Sequence, residues 1–98
     1  MIKPSIGRVV WYHPPATERI KGEPNDQDRA ALVTYVWGDR MVNLMATTPN
    51  GVPYGVTSVT LVQDGDPTPT DRYATWMPYQ KGQAAKAEAL EKQVKGAA

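Results

Sequence analysis

From Ala30 to Val62 hydrophobic and polar positions alternate with a period of two, broken twice by turn residues. Ala31, Val33, Tyr35 and Trp37 alternate with Leu32, Thr34 and Val36. Gly38-Asp39-Arg40 intervenes, and Val42, Leu44 and Ala46 then alternate with Met41, Asn43 and Met45. After Thr48-Pro49-Asn50-Gly51-Val52-Pro53, where Asn50 and Gly51 tolerate positive φ, Val59 and Leu61 alternate with Ser58, Thr60 and Val62. The pattern predicts a β-meander of three strands.

Upstream, Ile6 to Tyr12 is rich in β-branched and aromatic residues behind Gly7, which permits a bend, and Pro14-Pro15 ends the pairing near His13. A long polar loop is expected over 16–29, with Ile20 almost its only residue to bury. A second loop follows over Gln63 to Asp71, and Arg72 to Met77 reads as a short last strand stopped by Pro78. From Gln80 to Lys95 the composition turns to Ala, Lys, Glu and Gln, with Glu88 and Lys92, and Glu91 and Lys95, at i,i+4 spacing and Gly96 as a stop. That is a helix whose large apolar residues are only Leu90 and Val94, a thin stripe that leaves it to project, fray or dock, either on its own barrel or, the favoured reading, on the equivalent helix of another subunit.

Five short strands and one helix in 98 residues predict an all-β domain over 1–79, a small five-stranded SH3-like barrel, with a C-terminal helix and tail over 80–98. An OB-like barrel is the alternative. The expected core is Val9, Leu32, Val36, Val42, Leu44, Val59 and Leu61.

Composition narrows the chemistry. Eleven basic and ten acidic residues give a net charge of +1, with the basic residues dispersed, which argues against duplex DNA as a partner. There is no Cys, so disulfides, thiolate zinc sites and thiol catalysis are excluded. His13 is the only histidine and sits beside two prolines in no nucleophile motif, a strand end more than a catalytic base. Asp64-Gly65-Asp66 lacks the spacing of a calcium loop and reads as a solvated turn, and Gly51 to Gly55 lacks the Lys-Ser/Thr of a P-loop. No metal, cofactor or enzymatic activity is expected. Neither a leader nor a membrane span is read in the sequence, which places the chain in the cytosol.

Phe is absent, so three Trp and five Tyr carry the aromatic surface. Trp11, Tyr12, Trp37, Trp76 and Tyr79 fall at or near strand ends, where a barrel mouth gathers side chains. With His13, Arg40, Asn43 and Gln80 they are the candidate ligand-binding residues, suited to a nucleobase or a peptide. Trp11 and Trp76 serve equally well as core residues in place of Phe.

The segments Gly7-Arg8-Val9-Val10-Trp11-Tyr12-His13-Pro14, Asp39-Arg40-Met41-Val42-Asn43-Leu44 and Trp76-Met77-Pro78-Tyr79-Gln80-Lys81-Gly82-Gln83-Ala84 resemble a family of small phage and prophage proteins. The resemblance implies a phage origin and brings no catalytic residue with it. By analogy it implies a binding protein in the host cytosol that counters host defence by sequestering a small nucleotide-like ligand, as a homo-oligomer with sites between barrels. The alternatives are a protein-interaction module that binds a host or virion protein, and a single-stranded nucleic-acid binder.

Overall fold

The computed structural model describes residues 1–15 and 27–97, with side chains described as far as Leu90 in the last helix. Five strands run over Val9–His13 (β1), Arg29–Gly38 (β2), Met41–Thr47 (β3), Pro53–Val62 (β4) and Tyr73–Thr75 (β5), followed by a helix over Pro78–Ala97 (α1). The strands close into a barrel in the order β1-β2-β3-β4-β5, with β5 antiparallel to β1 and parallel to β4. This is the small barrel with an appended helix that the meander predicts. Its neighbours follow chain order, as in the SH3-like arrangement, without the Greek-key crossing of an OB barrel.

The turns form as their residues dictate. Gly7 takes φ 95° and its N–H bonds the Val33 carbonyl at 2.8 Å, so the chain bends into β1 three residues later than the hydrophobic run begins. Gly51 takes φ 85° in the β3–β4 connection, where the Thr48 hydroxyl accepts the Val52 N–H at 3.1 Å. Pro78 occupies the first position of α1, where a missing N–H costs nothing. The helix therefore starts ahead of the expected Gln80 and takes in Tyr79, and it runs through Gly96 instead of stopping there. Of the expected loop, Arg29 is instead the first residue of β2 and is buried, whereas the segment 16–26 lies outside the described residues.

Val42, Leu44, Val59 and Leu61 are buried as expected, in a core completed by Val10, Tyr12, Ala31, Val33, Ala46, Val56, Ala74 and Trp76. Val36 is half-buried against that core and Leu32 is half-buried, but Val9 is exposed, which corrects the expected inward face of β1. His13 shares the parity of Val9 and Trp11, so turning that face inward would bury an imidazole; Val10 and Tyr12 go in instead. On β2 the register shifts between Val33 and Tyr35, which resets the alternation. Val36 then points toward the core, while Tyr35 and Trp37 face outward.

α1 leans little on the barrel. From Pro78 to Leu90 only Gln80 and Ala84 are half-buried, and a 20-residue helix is about 30 Å long. The molecule accordingly measures 58 × 25 × 24 Å. No described helix is long and apolar enough to cross a membrane.

Candidate functional site

The nine candidate residues do not converge on one barrel mouth. Tyr12 is fully buried and Trp76 is 2% exposed, so both pack in the core. The other seven fall into four separate places: the outer β1–β3 wall, the β1–β5 seam, the β2–β3 turn and the start of α1.

Asn43 holds the first of these together. One residue on β3 stands opposite two residues of β4, one of them extra, because Val42 pairs with Val59 but Leu44 with Val56. Ser58, in the resulting bulge, has φ 53°, a conformation disfavoured for a side chain. The Asn43 Oδ1 accepts the Ser58 N–H at 2.8 Å and the Trp37 indole N–H at 2.9 Å, which uses both lone pairs. Asn43 is thus a bulge fastener, and it pins Trp37 on the barrel wall with Tyr35 edge-on to it at 4.8 Å.

Around this pair the outer face of β1–β3 is apolar and open. Trp37 is 61% and Tyr35 48% exposed, and Val9, Trp11, Met41 and Met45 are exposed as well. Val9 pairs with Leu32, Leu32 with Met45 and Met45 with Gly55, so the face is continuous across four strands. Within β1, β2 and β3 the only charged residue is Arg29, which is buried and donates to the Tyr54 hydroxyl at 2.6 Å.

His13 lies on the β1–β5 seam. Its Nδ1 meets Asp28 Oδ1 at 2.7 Å, its Nε2 meets the Thr75 hydroxyl at 2.8 Å, and its ring stacks on Tyr73 at 4.3 Å. In the neutral imidazole Nδ1–H donates to the carboxylate and Nε2 accepts from Thr75. This is the order of orienter, base and hydroxyl that a catalytic triad uses, and Asp28 and Thr75 were not singled out by the sequence. Of the trio only Asp28 lines a cleft, one of about 340 Å³ with Arg29, Thr47 and Thr48, whereas His13 and Thr75 line neither that cleft nor the grooves flanking α1. The trio ties the entry of β2 to β1 and β5.

Burial pushes the His13 pKa below 6.5, partly opposed by the Asp28 charge and hydrogen bond. The fold therefore favours the neutral ring, and its contribution is complete above pH 6.5 and is lost as pH falls through the lower folded value. As the only histidine, His13 alone titrates between the carboxylates and neutrality. Urea midpoints should fall on acidification from pH 7 to 5.5, and His13→Gln should flatten that slope; an unchanged slope would remove His13 from the account.

Arg40, in the β2–β3 turn, is a clamp. Its Nε and Nη2 reach the two Asp66 carboxylate oxygens at 2.9 and 3.3 Å, and Asp66 also accepts the Gln63 N–H at 3.0 Å. The Arg40 hydrogen bonds hold Asp66 below the usual carboxylate range. Gly65, at φ 87°, lets Asp66 N–H close the turn on the Gln63 carbonyl. The neighbouring Asp64 pairs with Lys81 of α1 at 3.2 Å.

At the start of α1, the Gln80 Oε1 accepts the Met77 N–H at 2.9 Å and its Nε2 donates to the Val9 carbonyl at 2.7 Å, which locks the first turn onto β1. Tyr79 is 74% exposed. Trp76 beneath it is buried with an indole N–H that has no acceptor among the described residues, a state that costs about 1–3 kcal/mol. Two clefts flank the helix, each walled by Trp76, Ile2 and Ala84. One of about 100 Å³ also carries Gln63, Asp64 and Lys81, and one of about 410 Å³ carries Arg8, Tyr79, Gln80 and Gln83. Three of the nine candidates, Trp76, Tyr79 and Gln80, come together here.

Arg8 and Gln83 are the members of this groove that sequence reasoning missed, because nothing local distinguishes an exposed Arg before a strand or one Gln in a polar helix. Comparison with known proteins found no matching family model, no matching curated protein and no matching solved structure.

Proposed function

We propose that this chain is a non-catalytic binding protein whose outer β1–β3 face engages a protein partner. The observation that carries the reading is the continuous, charge-free face around Trp37 and Tyr35, with Val9, Trp11, Met41 and Met45 exposed on it. Aromatic residues and Met are the types enriched in protein interfaces, and charged residues are depleted from interface centres. A single-stranded nucleic acid would also stack on exposed aromatics, but it needs basic residues beside them, and this face has none. The partner is a protein with an uncharged, apolar docking face.

Phage origin, a host-cytosolic location and a host protein as the partner belong to the same proposal and rest on the motif resemblance. So does homo-oligomer formation, supported by the exposed length of α1, with Leu90 62% exposed and small Ala residues beside it. A genetically encoded photocrosslinker tests both. Placed at Trp37 in expressing cells, it should yield an adduct with another protein that binds the purified chain and binds its Tyr35→Ser variant at least about tenfold more weakly. The same probe at exposed Thr70 should yield none. Placed at Leu90, it should yield an adduct of twice the chain mass. Equal labelling at Trp37 and Thr70, or only self-adducts at Trp37, would overturn the partner reading; no self-adduct at Leu90 would overturn the oligomer.

A further inference from the structure

We propose that the groove between α1 and the barrel binds a small planar anion of the nucleoside monophosphate class. Arg8 would hold the anionic group, Tyr79 would cover the ring, and the Gln83 amide and Trp76 indole N–H would meet acceptors on its edge.

Charge points to the anion. Among the groove residues Arg8 is the only charged one, it forms no ion pair among the described residues, and no carboxylate lines the groove with it. The first turn of α1 lies at the same end, so the positive pole of the helix dipole adds to the Arg8 field.

The planar body follows from the walls. Tyr79 presents an open ring to solvent, Ala84 and Ala87 leave room beside it, and the volume of about 410 Å³ lies within the usual range of ligand clefts. Gln80 fixes the Tyr79 backbone in place before any ligand arrives, because its amide is bonded at both ends to Met77 and Val9. A preset wall of this kind lowers the entropic cost of binding.

Trp76 supplies the second, independent observation. Its indole N–H is a buried donor with no acceptor among the described residues, on a side chain that walls both clefts. An acceptor brought in from outside satisfies it. Ile2 walls both clefts too, and turning its half-buried side chain aside is the movement that the ligand must drive.

The test follows the three indole N–H cross-peaks in a 15N-labelled sample, with Trp76 assigned by elimination from Trp11→Phe and Trp37→Phe, both at exposed positions. Titration with AMP and UMP should move the Trp76 peak and saturate below about 1 mM. Arg8→Gln, an exposed substitution that leaves the fold intact, should weaken that response about tenfold to a hundredfold, as loss of a charge-assisted hydrogen bond does. Adenosine should be weaker by a similar factor, and inorganic phosphate alone should leave the peak in place. A Trp76 peak that neither nucleotide moves, a response unchanged in Arg8→Gln, or one reproduced by phosphate alone would each overturn the proposal. The readout is the buried Trp76, which is no part of the β1–β3 face, so none of these outcomes bears on the protein-partner reading.

Discussion

Val42→Asp should leave no folded protein at neutral pH, as read by far-UV circular dichroism at any temperature. Val42 is fully buried at the centre of β3, paired on one side with Val36 and on the other with Val59. Val42 belongs to a buried cluster of Val, Leu, Ala, Tyr and Trp residues, which offers a carboxylate no cation. Substitutions that bury an unpaired charge fall among the few that cost more than about 4 kcal/mol. A domain of this size has a total stability of about 5–15 kcal/mol, so this one change removes most or all of it. Asp64→Asn is the control. Asp64 is 77% exposed and pairs only with Lys81 at the surface, so its loss should shift the melt by less than about 1 kcal/mol. A Val42→Asp variant that melts cooperatively near the parent would show that the core lies elsewhere.

Gln63→Glu should be the second most damaging change, although it alters a single atom. The Gln63 amide is buried, and its Nε2 donates to the carbonyls of Ile2 at 2.8 Å and Asp39 at 2.9 Å while its Oε1 accepts the Ile2 N–H at 3.2 Å. It clips the N-terminal segment and the β2–β3 turn to the end of β4. A carboxylate would face two carbonyl oxygens with no proton to offer, leaving them unsatisfied and itself uncompensated, for about 3–5 kcal/mol. Gln63→Met, similar in length but without charge, should cost about 1–3 kcal/mol. Urea unfolding at pH 7 should therefore rank parent, Met and Glu in that order. Lowering the pH should narrow the gap between Met and Glu, because protonation removes the charge. If Glu matched Gln at pH 7, the clip would be no part of the fold.

Strand alternation and turn chemistry made the β2–β3–β4 meander and its closure into a small barrel legible from residues alone. Parity was not legible where both faces of a strand are hydrophobic. Val9 and Trp11 compete with Val10 and Tyr12 on equal terms until His13 is counted with the first pair. The β2 bulge at Thr34 is invisible to any period-two reading, and it is what turns Tyr35 and Trp37 outward beside Asn43. The candidate site suffered for the same reason. Placement near strand ends does not say which aromatic rings share a wall, so Tyr12 and Trp76 were grouped with Trp37 although the barrel wall separates them. The run Trp76 to Gln80 stayed together because its proximity is local and survives any error of register, and Trp37 and Asn43 stayed together because they meet across the β2–β3 hairpin. The Asp28–His13–Thr75 network joins residues from three strand ends, and no local pattern reports it.

Every described strand has a neighbour on both sides, since β5 bonds β1 as well as β4. β4 meets β5 only over Thr60 to Val62 and β2 meets β1 only over Arg29 to Leu32, so the ladder open to strand addition is confined to the start of β4 and the end of β2. At the centre of the outer wall β3 is paired on both sides, so whatever meets it there is recognised through side chains. Those side chains have the opposite parity to the ones that fill the core. Substitutions at Tyr35, Trp37, Met41 or Met45 can therefore retune what binds without disturbing the ladder beneath, and a chain this short can change partners at little risk to its fold.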